Sequence, residues 1–384
     1  MDAHVACGNV AATRQRAGAS VRAGQGLAAR KLIRGPQENA AKITMNPREY
    51  LSDDGQAVLL LCSSLALPHR AAETDSSPLK LSEWNQLERK IRESSLKHPA
   101  ALHGRSAEEL AKALALPGGE AERIGRLLEF AGELSVELQN HFERGLWAVT
   151  RVDEHYPSHL RGRLKHQAPT VLFGAGNIRL LQRAGVAVVG SRDIDEAGAA
   201  FARDTGAKAV AAKLPVVSGG ARGTDRIAMQ AALEAGGIAF GALADSLERT
   251  ARQADVREFV SDGKLVLLTP YSPDAGFSVG AAMGRNKLIY GLAEFAVVVS
   301  SDYQTGGTWA GAVEALKAGW CPVLARDGDG VPRGNKELLK LGATALPSSE
   351  LPEISNLGEW VRQHAPAKTV ESELFDFGMR DKPR

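Results

Sequence analysis

The sequence predicts an α/β protein: a Rossmann-like, doubly wound, mostly parallel sheet preceded by a smaller all-helical region. Two observations carry this reading. Two apolar runs, residues 186–189 and 215–217, each end in a glycine-containing turn that opens a helix, which is a strand–turn–helix unit written twice. Beyond them, residues 238–243, 265–268, 295–300 and 320–325 are further apolar runs separated by helical stretches. That alternation is the pattern of a parallel sheet covered on both faces.

A chain of 384 residues with 44% apolar content is long enough for two domains and ordinary for a globular protein. No run of about 18 apolar residues occurs, so no membrane span is expected. Cys7, Cys62 and Cys321 are too few and too scattered for a disulfide framework or a zinc site. They fit a reducing cytoplasm, and the apolar stretch of a secretory signal is missing. No metal and no cofactor are expected. The net charge of +2 is unevenly spread: residues 1–44 hold seven Lys/Arg and two acids, leaving 40 basic against 43 acidic residues. A nucleic-acid surface in the folded part must therefore be a local patch.

Four segments follow. Residues 1–44 form a basic leader, rich in Ala, Gly and Arg and expected to be disordered. An organelle transit peptide, a basic tail, or an extension upstream of a true start at Met45 would each look like this. Residues 45–143 are expected to be helical. Asn46 and Pro47 suit a helix start, residues 56–67 are apolar enough to be buried, and a helix over 81–96 has Ser82 as its candidate cap. Ser106 with Glu109 is a capping-box pattern; residues 117–119 stop that helix, and 120–142 form another. The Rossmann-like segment spans 144–347. It opens on strand-like residues 146–150, a turn and short helix to Leu164, and strand-like residues 169–174. A helix over 196–213 and a short one over 334–341 belong to it. Asp193 and Thr224 are the expected caps at the two glycine turns. Residues 348–384 are a C-terminal helix and polar tail.

Chemistry concentrates in four loops. Gly190-Ser191-Arg192 ends the first core strand, where backbone N–H groups and a guanidinium can clamp an oxyanion. Ser218-Gly219-Gly220-Ala221-Arg222-Gly223-Thr224-Asp225 ends the second. Its three glycines admit a ligand against bare backbone, and Asp225 can cap the helix or hold Arg222. It is neither a Walker loop nor the dinucleotide fingerprint, since no Gly-Lys-Ser/Thr follows and the spacing differs. In Gly284-Arg285-Asn286-Lys287, read as a helix start, two cations flank an amide able to bond phosphate or a base edge. Gly306-Gly307-Thr308 opens a helix that carries Glu314. All four are expected at the carboxyl edge of the sheet, where helix N-termini favour anions by roughly 0.3–1 kcal/mol each. Arg192, Arg222, Arg285 and Lys287 would then make a positive pocket for a phosphate-bearing ligand.

These residues resemble the DNA-processing protein A family (DprA, also called Smf) over about 145–346. Residues 153–160, with Tyr156-Pro157, resemble its lead-in, and 169–174 the next piece. Gly190-Ser191-Arg192 and 218–225 resemble its two main motifs, Arg285-Asn286-Lys287-Leu288-Ile289 its Arg-Asn-Arg-Ile-Ile, and 334–343 its closing segment. The sequence departs from the family at Met229, where a histidine is usual, at 246–249, and at 269–271. No winged-helix domain is expected after Leu346.

The resemblance implies an extended Rossmann fold that binds single-stranded DNA in the positive pocket, dimerises, and loads RecA-type recombinase during natural transformation, without catalysing a reaction. The alternative is a free-nucleotide binder or nucleotide hydrolase of the related phosphoribohydrolase group, whose Gly-Gly-x-Gly-Thr-x-x-Glu is only approximated by Gly306-Gly307-Thr308 and Glu314. A scaffold acting through its helical half is a third reading, with no specific residue behind it.

Overall fold

The computed structural model describes residues 50–67 and 77–365. The leader 1–44, the helix start at 45–47 and the polar tail 366–384 lie outside the described residues.

Nine strands form one sheet: β1 (Leu146–Thr150), β2 (Val171–Ala175), β3 (Gly185–Gly190), β4 (Val216–Ser218), β5 (Ala239–Ala242), β6 (Leu265–Thr269), β7 (Ala293–Ser300), β8 (Val323–Asp327) and β9 (Thr344–Pro347). Their spatial order is β1-β2-β6-β5-β4-β3-β7-β8-β9. Pairing is parallel from β6 through β9, while β1 and β2 form an antiparallel extension on β6. The chain starts the parallel part in the middle at β3, runs outward to β6, then returns to β7 on the other side of β3. Strand order therefore reverses between β3 and β7. In open α/β sheets the crevice at that switch point, beyond the strands' carboxyl ends, is where ligands bind.

Alternation along the strands explains why both faces are covered. Val186, Val188, Val297 and Leu267 belong to one buried apolar cluster, and Ala187, Val189, Val298 and Leu268 to the other. Successive side chains point to opposite faces, so a strand apolar at every position needs a layer on each side. Helices α6 (Ser158–Leu164), α7 (Glu196–Ala211), α8 (Thr224–Glu234), α9 (Leu247–Ala251), α10 (Ala254–Ser261), α11 (Val279–Gly291), α12 (Gly306–Ala318), α13 (Arg333–Lys340) and α14 (Leu357–His364) follow the strands. Phe201 of α7 and Ala228 of α8 join the first cluster; Leu288 of α11 and Ala312 of α12 join the second.

The helical front comprises α1 (Asp53–Cys62), α2 (Leu81–Glu93), α3 (Ala107–Leu114), α4 (Gly118–Leu128) and α5 (Ala131–Glu143). It does not bury its apolar faces by itself. Val58, Trp84, Leu110 and Ile124 share one cluster with Leu146 and Phe173 of the sheet, so the front caps one face of β1 and β2. A single carboxylate pins the junction. Asp153, 3% exposed, accepts from the Ser52 N–H (2.8 Å) and hydroxyl (2.6 Å), and from the Thr150 N–H (2.7 Å) and hydroxyl (2.6 Å). Ser52 in turn caps the first helix by accepting from the Gly55 N–H at 3.0 Å.

Several local expectations change. Lys80, not Ser82, is the N-cap of Leu81–Glu93, because the Glu83 carboxylate reaches back to the Lys80 N–H at 2.6 Å. The capping box at Ser106 and Glu109 forms as expected. Residues 120–142 make two helices, since Phe130 leaves helical geometry (φ −80°, ψ 21°). The cap of α7 is Asp195 rather than Asp193, with its carboxylate on the Gly198 N–H at 2.7 Å. Gly223, not Thr224, is the cap position of α8. Strand β8 starts at Val323 rather than at 320, since Pro322 has no N–H to give a ladder. Strand β9 is an addition to the sequence reading. Among the described residues no helix is long and apolar enough to cross a membrane.

Replacing Asp153 by Ala strands four donors at once. The expected loss is about 2–4 kcal/mol, read as a lowered denaturation midpoint, while Asp153→Asn, which keeps one acceptor, loses less.

Candidate nucleic-acid interface

The switch point carries a cavity of about 480 Å³. Strand β3 delivers Gly190, Ser191 and Arg192; the loop after β4 delivers Ala221 and Asp225; α11 delivers Arg285 and Asn286; β7 and the start of α12 deliver Ser300, Gly307 and Thr308. The four loops singled out in the sequence thus meet in one concavity. Ser218, Gly219, Gly220 and Gly223 of the same loop do not line it. Arg222, with a side chain 72% exposed, pairs with Asp193 at 2.5 Å outside the cavity. Lys287 also lies outside: its Nζ bonds Gln167 Oε1 at 2.7 Å and pairs with Glu314 at 3.0 Å.

Hydrogen bonds between the loops fix their geometry. Thr308 donates its hydroxyl to the Gly190 carbonyl at 3.1 Å, and Asn286 donates Nδ2 to the Gly307 carbonyl at 3.1 Å. These tie α12 to β3 and to α11. Ser218 donates its hydroxyl to the Val188 carbonyl at 2.6 Å, and Thr224 donates to the Ser191 carbonyl at 3.1 Å. Gly223 sits at φ +83°, with the Ser191 and Arg192 carbonyls where a side chain would go. A left-handed backbone at a close approach of two loops restricts that position to glycine.

Arg285 is the central group. Ser278 caps α11 by accepting from the Ala281 N–H at 3.0 Å, so the helix starts at Val279 and Arg285 lies well inside it, not at its start. This depth buries the guanidinium to 8% exposure. Its Nε has no hydrogen-bond partner. Asp225, 7% exposed, faces it beside Gly219. Burial pushes the Asp225 carboxyl up to about 6, opposed by the Arg285 charge and by hydrogen bonds from the Gly219 and Ala221 N–H groups and Ser218. Burial also lowers the Arg285 pKa, with Asp225 as the main opposing charge.

The arrangement suits an anion. The first N–H groups of α12 open on the cavity, and Thr305 makes no side-chain cap bond to them. Helix N-termini of this kind stabilise negative charge. Exposed Arg192 adds a full charge at the wall. Phe277 and Val279, 56% and 73% exposed, form an apolar lip that the sequence reading missed. An aromatic just ahead of the capping Ser278, eight residues before Arg285, was the available signal.

A Cβ on Gly219 would meet the Arg285 guanidinium, lying 2.5 Å from Cζ, and 2.7 Å from Asp225 Oδ2. Gly219→Ala is expected to cost about 1–3 kcal/mol and to displace Arg285. Denaturation reads the first effect and loss of anion binding the second.

Comparison with known proteins identifies the family. Residues 147–355 match the family model described as DNA recombination-mediator protein A. A Mycobacterium tuberculosis relative carrying a provisional DprA name is 30% identical over 210 residues, covering 51% of this chain and 52% of that protein. The DNA processing protein DprA of Streptococcus pneumoniae is 30% identical over 190 residues, covering 48% of this chain and 66% of that protein. The matches thus span about half to two thirds of these relatives' own length. The X-ray structure of the Streptococcus pneumoniae protein overlays with a TM-score of 0.57 at 21% identity, over 79% of this chain and 98% of that one, a likeness of fold. More than half of the sequence, including all four loops of the cavity, falls within the family match, and the chain belongs to the DNA recombination-mediator protein A family.

Proposed function

We propose that the protein binds single-stranded DNA through the switch-point cavity, in DNA processing and recombination. It does so without catalysis, presenting the strand to a RecA-type recombinase, as a cytoplasmic homodimer. One observation carries the binding site: Arg285 holds a buried guanidinium with an unfilled Nε donor beside a cavity edged by a helix N-terminus. An unfilled buried donor costs about 1–3 kcal/mol, and a phosphate in the cavity beside the guanidinium offsets part of the cost of its buried charge. Single strands suit the site better than duplex, since the exposed Phe277 ring at the lip can stack on a base that is not already paired.

A second reading, a free nucleotide, is favoured by size alone: about 480 Å³ is within the range of small-ligand sites. Against nucleotide hydrolysis, Glu314, the first acid after the Gly306-Gly307-Thr308 turn, pairs with Lys287 and does not line the cavity. A base-release assay with several nucleotides is expected to show no turnover.

The direct test is binding of a fluorescent thymine oligonucleotide, single against double stranded, across a salt series. Single strands are expected to bind tighter, with affinity falling steeply as salt rises. Arg192→Gln and Arg285→Gln should each weaken binding about tenfold and flatten the log K–log[salt] slope by about 0.7 for every phosphate no longer neutralised. Arg222→Gln should have a smaller effect, because its charge is already paired at the surface. Unchanged binding by the Arg192→Gln/Arg285→Gln protein would overturn the proposal.

Binding should also depend on pH. Asp225 has its carboxyl raised to about 6, so it is ionised at neutral pH and gains a proton as pH falls through 6. That removes a negative charge facing Arg285, and strand affinity is expected to rise between pH 7 and 5. In Asp225→Asn the group is neutral throughout: affinity at pH 7 should exceed the wild type and this part of the rise should vanish.

A further inference from the structure

A second cleft lies at the antiparallel end of the sheet, at β1, five positions from β3 in the strand order. It encloses about 660 Å³ between the helix Leu81–Glu93, the 97–99 turn, residues 151–152 after β1, and α6 with the turn that follows it. It shares no lining residue with the switch-point cavity.

Its charges are unbalanced. Arg92, Lys97, Arg151, Arg161 and Lys165 line it against two carboxylates, Asp54 and Glu88. Both carboxylates are committed. Glu88 pairs with Arg151 at 2.7 Å, and Arg151, 6% exposed, also donates to Asn85 Oδ1 (2.7 Å) and the Ala168 carbonyl (3.3 Å). Asp54 accepts from the Ala100 N–H at 2.8 Å and lies 3.4 Å from His98 Nδ1. Among the described residues, no carboxylate lies within 4.0 Å of Arg92, Lys97, Arg161 or Lys165. Lys97 and Arg161 bond backbone carbonyls of Arg92 (3.2 Å) and Arg151 (3.1 Å), which neutralises neither.

Folding alone gives no reason for this arrangement. Four like charges from two separate stretches of chain, 92–97 and 161–165, repel one another in a concavity, where low-dielectric walls focus the field. Elsewhere the folded part is nearly neutral, with acids slightly in excess outside the leader. A polyanion would relieve the repulsion at all four side chains together. Among the described residues, the only aromatic rings lining the cleft are two histidines, His98 and His166, so it offers phosphate contacts in place of base stacking.

We propose that this cleft is a second nucleic-acid site, which holds the phosphate backbone of a strand where the helical front meets the sheet. The choice of nucleic acid among polyanions rests on the single-strand reading above; the anion site itself does not.

Lysine footprinting on the full chain tests it. Acetylation of Lys97 and Lys165, followed by mass spectrometry, is expected to fall severalfold under a saturating long thymine strand. Repeating this in Arg192→Gln/Arg285→Gln protein separates the two sites: protection that persists there assigns the cleft its own affinity, even if the switch-point reading fails. In the converse experiment, Arg92→Gln/Lys97→Gln/Lys165→Gln replaces three exposed charges with polar side chains of similar length. The log K–log[salt] slope for the long strand should flatten by about 2, at roughly 0.7 for every single-strand phosphate neutralised. Protection by inorganic polyphosphate but not by DNA would overturn the nucleic-acid assignment. Unchanged acetylation with both probes, or an unchanged slope in the triple variant, would overturn the site.

Discussion

A buried arginine cation facing a buried carboxylate beside a glycine is the constraint on which the binding end of the molecule depends. Arg285 and Asp225 are both more than nine-tenths buried, and each occupies space that a side chain on Gly219 would need. Burying a charge is costly unless it is compensated. Asp225 compensates Arg285 in part, and its own raised pKa shows that burial outweighs what its partners return. The guanidinium keeps an unfilled Nε donor. Unspent polar capacity of this kind is expected where a ligand completes the bonding.

The sheet supplies the rigidity this requires. Its parallel strands are apolar on both faces, so helices pack on each side and fix the loops between them. Side-chain bonds from Thr308 to Gly190 and from Asn286 to Gly307 cross-link loops that are far apart in sequence. The reversal of strand order between β3 and β7 opens the crevice into which these loops converge. The helical front is joined to this frame through a shared apolar cluster and through the four hydrogen bonds that Asp153 accepts. Both concavities are lined by side chains from several separate segments of the chain.

Much of this was legible in the sequence. The eight strands from β1 to β8 were readable because runs such as 186–189 and 295–299 are apolar at every position and end in glycine, proline or polar turns. The glycine loops were readable because 218–225 concentrates residues that bare backbone and positive φ require. Other features were not. Lys287 follows two cavity residues in sequence, yet on a helix it points elsewhere, to Gln167 and Glu314; adjacency misleads where the period is 3.6. Arg285 looked like part of a helix start because Gly284 precedes it, whereas Ser278 had already capped the helix. Residues 344–347 are too short to announce a strand and become one by pairing with β8. The basic cleft at β1 draws on residues from 92 to 165, a separation that no local pattern reveals.

The sequence by itself determined the alternation of strands and helices, the positions of the glycine turns, and the residue types available for an anion, because these follow from local periodicity and backbone sterics. The tertiary structure decided the strand order, the burial of Arg285 against Asp225, the exclusion of Arg222 and Lys287 from the cavity, and the meeting of cations at the edge strand. Those depend on which distant segments share a face and how much solvent each charge keeps, and packing fixes both.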